Sequence, residues 1–319
     1  MQAFRFLVLT FACAALAIGP GQAQNKYPVS TVTLVTHSSP GSGSDVFLRE
    51  LIRHLGPEMG VSFVVENVRG GSGATAVAKV ARGPADGSMF YATTPTYIQT
   101  TLLSKPQFGY DSLDPLVTVF FDPEVIFVRT ESPFRSLKDV VAYSQKNIGR
   151  AKWGAANPGS LERIALERMS KLLGARAAIV THEGGGDLLI NVLNGTLDIG
   201  VGEIQEVSSQ LEAKKVRLLA SLTDQRIQTL PDLKTAKEEG VDLVVTKFRG
   251  LAGPKGVPDA VAAQWEAAMK KVLAKPEYKA VYEKENLIVA LKGRAESRSF
   301  TTAFAKEVET TLRDLGVVK

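Results

Sequence analysis

Strand-like runs alternate with segments of helical periodicity along most of this chain, and that alternation constrains its fold more than any other feature. Thr31–Thr36 is a short run of apolar and β-branched residues, which predicts a strand. Apolar residues from Leu48 to Leu55 then recur at helical spacing, and Gly56–Pro57 is predicted to end that helix. Further strands are predicted at Phe63–Val65, Met89–Thr93, Ala177–Thr181, Leu197–Val201 and Val216–Ser221, and further helices at Ala74–Ala81, Ser160–Leu173, Asp187–Leu193 and Ile204–Ala213. This order predicts βαβ units around parallel sheets, an α/β fold.

The length of 319 residues predicts two domains, because single domains commonly hold about 100 to 200 residues. A single barrel is the alternative. Two extended segments, Glu124–Arg129 and Val244–Pro254, are placed where the chain would cross from one domain to the other and back. We therefore predict a discontinuous first domain of residues 24–123 and 250–319, with residues 124–249 as the second.

Residues 1–23 have the order of a secretory signal peptide. Arg5 precedes the apolar run Phe6–Ile18, and the small-residue stretch Gly19–Ala23 follows it. An uncleaved anchor is the alternative, but this run is shorter than the roughly 20 residues that span a bilayer. The only cysteine, Cys13, lies within it, so the remaining chain has no disulfide or thiol chemistry. We expect an exported protein that does not span the membrane.

Charge and motifs exclude several classes of function. The chain has 38 Lys and Arg residues against 33 Asp and Glu residues, a net charge of +5 that is too small and too evenly scattered for a nucleic-acid-binding surface. It contains no phosphate-binding Gly-Lys-Ser/Thr loop, no complete dinucleotide-binding glycine turn, no His-Glu-x-x-His zinc motif and no Gly-x-Ser-x-Gly elbow. We therefore expect no nucleic-acid partner, no cofactor, no metal and no catalytic residues.

Four turns rich in glycine and serine follow predicted strands. These turns are Ser38–Asp45, Gly70–Gly73, Ala155–Ser160 and His182–Gly186. Small residues there let ligand oxygens approach backbone N–H groups at a helix start, where the helix dipole favours an anion. A tight turn is the alternative for any one of them. Their repetition favours a binding cleft, since open α/β sheets bind ligands at the carboxyl ends of their strands.

Three single residues are further candidates for ligand contact. His37 and His182 each follow a predicted strand beside a glycine-rich turn, and each could contact a ligand or be a polar residue at the rim. Arg249 lies on the predicted return crossover, where a guanidinium could bind a carboxylate through two hydrogen bonds. A structural salt bridge at the hinge is the alternative for Arg249.

Several short motifs occur in a fixed order along the chain. They are Pro40–Asp45, Val64–Asn67, Ala85–Gly87, Gly184–Gly186, Asn194–Asp198, Leu218–Ser221, Leu230–Pro231, Glu239–Val241 and Arg249–Pro254. In their order and spacing the chain resembles the extracytoplasmic solute-binding receptors of tripartite tricarboxylate transporters, the Bug receptor family.

The resemblance implies a two-lobed periplasmic binding protein of the type II kind, in which each lobe is a central sheet flanked by helices and two crossover segments form the hinge. Such a protein is a monomer in the periplasm, not an enzyme. It closes around a small mono-, di- or tricarboxylate and presents it to membrane permease subunits. The alternatives are a ligand-sensing adaptor for a membrane sensor kinase and a secreted α/β enzyme using His37 or His182 as a general base beside a serine.

The resemblance also implies which residues contact the ligand. By position they are Ser39, Gly41, Ser42, Gly43, Ser44, Thr94, Thr96, Asn157, Gly159, Ser160, Gly184, Gly185, Gly202, Glu203 and Arg249. The chain departs from the family pattern at His37, at Ser42 and at Glu183, which would bring a negative charge to the mouth of the cleft. That charge favours a ligand amine or a monocarboxylate over a tricarboxylate.

Overall fold

The computed structural model describes residues 26–318. The predicted signal peptide, with Cys13, lies outside the described residues. Eleven strands occur in the described range: β1 (Thr31–Thr36), β2 (Ser62–Asn67), β3 (Met89–Thr93), β4 (Leu113–Asp122), β5 (Glu124–Arg129), β6 (Lys152–Ala155), β7 (Ala178–Thr181), β8 (Ile199–Glu203), β9 (Val216–Ser221), β10 (Lys247–Pro254) and β11 (Ile288–Lys292). Ten α-helices occur in the same range: α1 (Gly43–Met59), α2 (Ala74–Ala81), α3 (Pro95–Ser104), α4 (Leu137–Lys146), α5 (Leu161–Leu173), α6 (Gly185–Leu193), α7 (Ile204–Glu212), α8 (Asp259–Leu273), α9 (Pro276–Lys284) and α10 (Arg294–Asp314). None of them is long and apolar enough to cross a membrane.

The strands form two sheets. The first lobe contains a six-stranded sheet in the order β11-β4-β10-β3-β1-β2, and the second contains a five-stranded sheet in the order β7-β6-β8-β5-β9. Strands within each βαβ unit are parallel, as predicted. In contrast, β10 and β5 run antiparallel to their neighbours. Both strands enter their sheet from the other lobe, so they begin at the edge where the parallel strands end.

Each sheet is covered on both faces by apolar side chains. Along β5, Val125 and Phe127 pack into one buried cluster while Ile126 and Val128 pack into another. This alternation is the two-residue period of a strand, and it shows that both faces of the sheet are buried. The first lobe is built likewise, with α1, α8 and α9 contributing to one cluster and α2, α3 and α10 to the other.

The chain passes between the lobes twice. The first passage is at Pro123, between β4 and β5, and the second follows β9 and ends where β10 begins at Lys247. Lys247 pairs with Asp122 of β4, so residues 247–249 belong to the first sheet rather than to the second domain, where the sequence analysis placed them. The predicted domain boundaries otherwise stay a prediction.

The structure also differs from the predictions at the end of helix α1 and at strand β4. Helix α1 continues past Gly56 and Pro57 to Met59, and Gly60 ends it with a left-handed φ of 64° and an N–H bond to the Gly56 carbonyl. A proline in the last turn removes only one internal hydrogen bond, which the packing of α1 outweighs.

No strand was predicted at Leu113–Asp122, where Pro115 argues against one. The structure places Pro115 beside a register shift between β4 and β10, where a missing N–H is tolerated.

Candidate functional site

The two lobes meet at the edge where their parallel strands end. Strands β1 and β3 of the first lobe lead into α1 and α3, and strands β6, β7 and β8 of the second lead into α5, α6 and α7. The first turns of these helices therefore lie near the gap between the lobes. Their free backbone N–H groups carry the positive end of the helix dipole.

A small cavity lies between the lobes at this edge. The space open to the centre of a water molecule in this cavity is about 20 Å³. The cavity therefore has room for about one water. Its lining residues are His37, Ser38, Ser42, Gly43, Ser44, Thr94, Thr96, Ala156, Asn157, Glu162, Gly185, Glu203, Glu206 and Lys247. Both lobes contribute, so the structure is a closed arrangement of the two.

Eight of the fifteen residues predicted to contact a ligand line this cavity. They are Ser42, Gly43, Ser44, Thr94, Thr96, Asn157, Gly185 and Glu203. The other seven, which lie around the cavity and not on its surface, are Ser39, Gly41, Gly159, Ser160, Gly184, Gly202 and Arg249. The Ser39 hydroxyl bonds to that of Ser42 at 3.1 Å, and Ser160 caps α5 by accepting from Arg163 N at 3.2 Å. These residues support the turns that reach the cavity.

Gly43 shows how tightly the lobes approach. Its N–H donates a 2.8 Å hydrogen bond to Glu206 Oε1 of the opposite lobe. A Cβ at this position would lie 2.3 Å from Arg249 Nη2 and 2.8 Å from Glu203 Oε1. Glycine is therefore required here by close approach of side chains from the hinge and from the second lobe.

Arg249 is fully buried and connects the lobes. Its Nε donates to Asp122 Oδ2 at 2.7 Å, its Nη2 to Glu203 Oε1 at 2.7 Å, and its Nη1 to Ser44 Oγ at 3.1 Å. Of the two interpretations that the sequence left open, the geometry matches a structural salt bridge at the hinge. The guanidinium lies behind the cavity surface.

Lys247 is the cation that lines the cavity, and the sequence analysis did not single it out. Its Nζ lies 3.0 Å from Glu124 Oε1 and is also ion-paired with Glu162 and Glu203. Lys247 and Arg249 are two residues apart on β10, so their side chains point to the same face of the strand. Two cations at this spacing in an otherwise apolar and glycine-rich strand are the signal that could have identified both.

Five carboxyl groups surround these two cations: Asp122, Glu124, Glu162, Glu203 and Glu206. They come from the end of β4, the start of β5, the first turns of α5 and α7, and the end of β8. Glu124, Glu162 and Glu203 each have an oxygen within 4.8 Å of the others, a grouping able to hold a metal ion, although Lys247 Nζ already supplies these oxygens with a cation.

The five carboxyl groups separate into two sets by the direction in which their pKa is shifted. Burial raises the pKa of Glu124 and of Glu206 well above the usual range, and the Glu203 charge raises that of Glu206 further. Burial also raises the pKa of Asp122, to about 6, although Arg249 opposes it. For Glu162 and Glu203, burial is again the largest single effect and raises the pKa. Lys247 and side-chain hydrogen bonds, joined for Glu203 by Arg249, together outweigh it, so both pKa values lie below the usual range. At neutral pH the cluster therefore holds protonated and ionised carboxyls side by side.

His37 lines the cavity as a neutral side chain. Burial, together with the Lys247 charge, lowers its pKa to about 4, and its Nδ1 lies 2.8 Å from the Tyr91 hydroxyl. His182 and Glu183 are not on the cavity surface, and Glu183 is exposed to solvent. The negative charge at the cleft thus comes from Glu162 and Glu203 instead.

Comparison with known proteins places this geometry in a family. A family model described as "Tripartite tricarboxylate transporter family receptor" matches residues 47–311. A UPF0065 protein of Agrobacterium vitis, from the TAR-I ttuE-ttuC' intergenic region, is 26% identical over 261 residues, covering 80% of this chain and 75% of that protein.

Two solved structures have the same fold. Rpa4515 of R. palustris, determined with adipate, aligns with a TM-score of 0.87 at 23% identity and covers 92% of this chain and 99% of that one. MatC (Rpa3494) of Rhodopseudomonas palustris, with bound malate, aligns with a TM-score of 0.80 at 23% identity and covers 92% and 100%. Because the family model spans most of the chain, this protein belongs to the tripartite tricarboxylate transporter family of receptors, the Bug-type solute-binding proteins.

Proposed function

We propose that this protein is a periplasmic receptor that closes its two lobes around a small carboxylate and delivers it to a tripartite tricarboxylate-type membrane transporter. The observation that carries the proposal is the cavity between the lobes at the strand ends, lined from both sides by glycine and serine turns at helix starts. Residues 1–23 would direct its export, and it would act as a monomer. No step of this function requires a cofactor.

Thr94 supports the assignment of a carboxylate. It occupies the N-cap position of α3, yet its hydroxyl makes no capping bond. It is 2% exposed, and its Oγ1 has no hydrogen-bond partner among residues 26–318. A buried hydroxyl of this kind is available to donate to a ligand oxygen. Ser38, Ser42 and Thr96 line the same cavity.

Binding requires the lobes to separate, because a cavity with room for about one water is too small for any dicarboxylate. The passage at Pro123 and the segment before Lys247 are the two places where the chain could bend. Rotation about them would open the cavity to solvent, and closure would exclude water from the ligand. A low local dielectric then strengthens each hydrogen bond to the carboxylate.

Calorimetric titration of the purified protein with malate, succinate, glutarate, adipate and citrate tests the proposal. We expect at least one acid to bind, and a ligand at 100 times its Kd to stabilise the protein by about 2.7 kcal/mol in a thermal melt. Thr94→Val should weaken that binding about tenfold or more, since a hydrogen bond to a charged group contributes about 1.5–3 kcal/mol. Thr302→Val, at an exposed position of α10, is the matched control.

Absence of binding by every acid at millimolar concentration would overturn the receptor assignment. Delivery to a transporter has a separate test. Cells that lack this gene should lose uptake of the acid that binds in calorimetry, and the wild-type gene should restore it. Unchanged uptake would contradict delivery and leave binding standing.

A further inference from the structure

We propose that the solute carries a protonated amine in addition to its carboxylate, and that Glu206 is the residue that selects for it. This inference rests on the proposed function and narrows the class of ligand.

Glu206 occupies the place where backbone amides would otherwise hold a ligand carboxylate. Its Oε1 accepts the N–H of Gly43 at the first turn of α1. A Cβ on Gly185, at the first turn of α6, would lie 2.2 Å from its carboxyl atoms, and a Cβ on Gly202 would lie 2.8 Å from its Oε2. Two glycines, Gly185 and Gly202, thus make room for this one side chain. A carboxyl of the protein fills the anion position between two helix starts.

The charges around the cavity leave no cation for a second ligand carboxylate. Lys247 is the only cationic side chain among the described lining residues, and its Nζ is already ion-paired with three glutamates. Arg249 is already ion-paired with Asp122 and Glu203. A second carboxylate entering the cavity would therefore meet the ionised Glu162 and Glu203 and no free counter-charge, whereas an ammonium group would meet opposite charge there and would favour the ionised form of Glu206.

Two residues that line the cavity also carry acceptor atoms without a donor. Asn157 is 8% exposed and Glu162 is 1% exposed, and Asn157 Oδ1 and Glu162 Oε2 have no hydrogen-bond partner within the described part of the chain. Both residues line the cavity together with Glu206. A buried acceptor without a donor is rare, because its desolvation is uncompensated. An ammonium group offers three N–H donors and no acceptor, which suits these oxygens.

The carboxylate of the same solute would bind at a different part of the cavity from the amine. Thr94, whose hydroxyl lacks a partner among the described residues, lines the cavity on the first-lobe side, whereas Asn157, Glu162 and Glu206 belong to the second lobe. One lobe would bind the carboxylate and the other the amine. Closure would then bring both ends of the solute into contact.

Matched pairs of ligands test this inference on the intact protein by calorimetry. Succinate, glutarate and adipate are each compared with the ω-amino acid in which an ammonium replaces one carboxylate. Butanoate, pentanoate and hexanoate are each compared with their 2-amino derivative. We expect the tightest ligand to carry an ammonium and to bind at least tenfold tighter than its partner that lacks one. Glu206→Gln keeps the size of the side chain and should reduce the ratio of these two affinities at least tenfold.

Glu212→Gln is the control, since it replaces a carboxyl by an amide at an exposed position of the same helix. It should leave the ratio unchanged. Gly185→Ala is an independent variant whose Cβ would displace the Glu206 carboxyl, and it should reduce the ratio as Glu206→Gln does. Circular dichroism and melting temperature establish that each variant is folded.

Three outcomes would overturn the inference in distinguishable ways. Dicarboxylates that bind the wild type as tightly as their amino partners would overturn the amine preference and leave the receptor function standing. A preference that Glu206→Gln leaves intact would remove Glu206 as the selecting residue. Failure of every compound to bind, together with the acids tested above, would overturn the receptor function itself.

Discussion

Arg249 Nη2 lies 2.7 Å from Glu203 Oε1, and this pair joins the two lobes. Arg249 belongs to β10 of the first lobe, whereas Glu203 is the last residue of β8 in the second. Both side chains are almost completely buried. Any opening that parts β10 from β8 would break this pair, so closure of the lobes and neutralisation of these charges are coupled.

Replacing Arg249 should strongly destabilise the protein. Arg249→Ala leaves the Asp122 carboxyl buried without its ion-pair partner and leaves Glu203 with Lys247 alone. Breaking a buried ion pair in this way costs about 3–5 kcal/mol. Urea denaturation measures this loss. Arg313→Ala breaks an exposed pair with Glu309 and should cost less than about 1 kcal/mol. Equal losses in the two variants would contradict the structural role of Arg249.

A methyl group on Gly43 should disturb the same contact sterically. Its Cβ would lie 2.3 Å from Arg249 Nη2, and forced repacking of this kind costs about 1–3 kcal/mol. Gly56→Ala is the matched control in the same helix, because its Cβ would meet only the Val61 carbonyl at 3.5 Å. That control should stabilise α1 by about 0.5–1 kcal/mol. Thermal unfolding distinguishes the expected loss of stability in Gly43→Ala from the expected gain in Gly56→Ala. A stabilising Gly43→Ala would refute the close approach.

A methyl group on Gly159 should hold the lobes apart. The Gly159 N–H donates to Ser72 Oγ across the gap at 3.2 Å, and a Cβ there would lie 2.5 Å from Thr100 Oγ1 and 3.0 Å from Ser72 Cβ. We expect Gly159→Ala to increase the radius of gyration in small-angle scattering with saturating ligand, and to weaken ligand binding. Gly56→Ala again serves as the control. An unchanged scattering curve would show that this contact does not limit closure.

Glu285 should make the protein less stable as the pH rises. Burial, followed by the charges of Asp122 and Glu50, raises the pKa of Glu285 to about 7, above its ordinary value of 4.5. Because the folded state holds this proton more tightly, the contribution of Glu285 to stability is lost as the pH increases from about 4.5 to 7.

Glu285→Gln removes this dependence. We expect the variant to be more stable than the wild type at pH 8 by about 1–2 kcal/mol, a value reduced for the partial exposure of the side chain, and to differ little at pH 4.5. Urea denaturation across this range measures the difference. The exposed substitution Glu283→Gln should leave the pH profile parallel to that of the wild type. A Glu285→Gln profile that is also parallel would contradict the shift.

Local patterns were sufficient for many of the elements. The predicted strand at Thr31–Thr36 and helix at Ala74–Ala81 have the observed bounds, and Gly174 ends α5 with a left-handed φ of 60°. These features depend on side-chain period and on backbone freedom, which are visible in a few neighbouring residues. Strand β4 was missed because its tolerance of Pro115 depends on a partner strand more than 130 residues away.

The candidate site likewise contains some residues that could be recognised from the sequence and others that could not. Turns such as Ser42–Ser44 were recognisable, because small residues after a strand mark a helix start that a ligand can approach. Glu206 and Lys247 were not, since a charged residue in a helix or strand is usually exposed. Their roles follow from meeting Gly43 and Glu162 across the gap.

The sequence by itself determined the α/β order, the family and the turns at the strand ends, because each depends on residues that are neighbours along the chain. Only the tertiary structure decided that five carboxyls and two cations meet at the hinge, and that Arg249 ties the lobes together. The physical reason is that the cost of burying a charge depends on its partners, and here those partners come from strands and helices far apart in sequence.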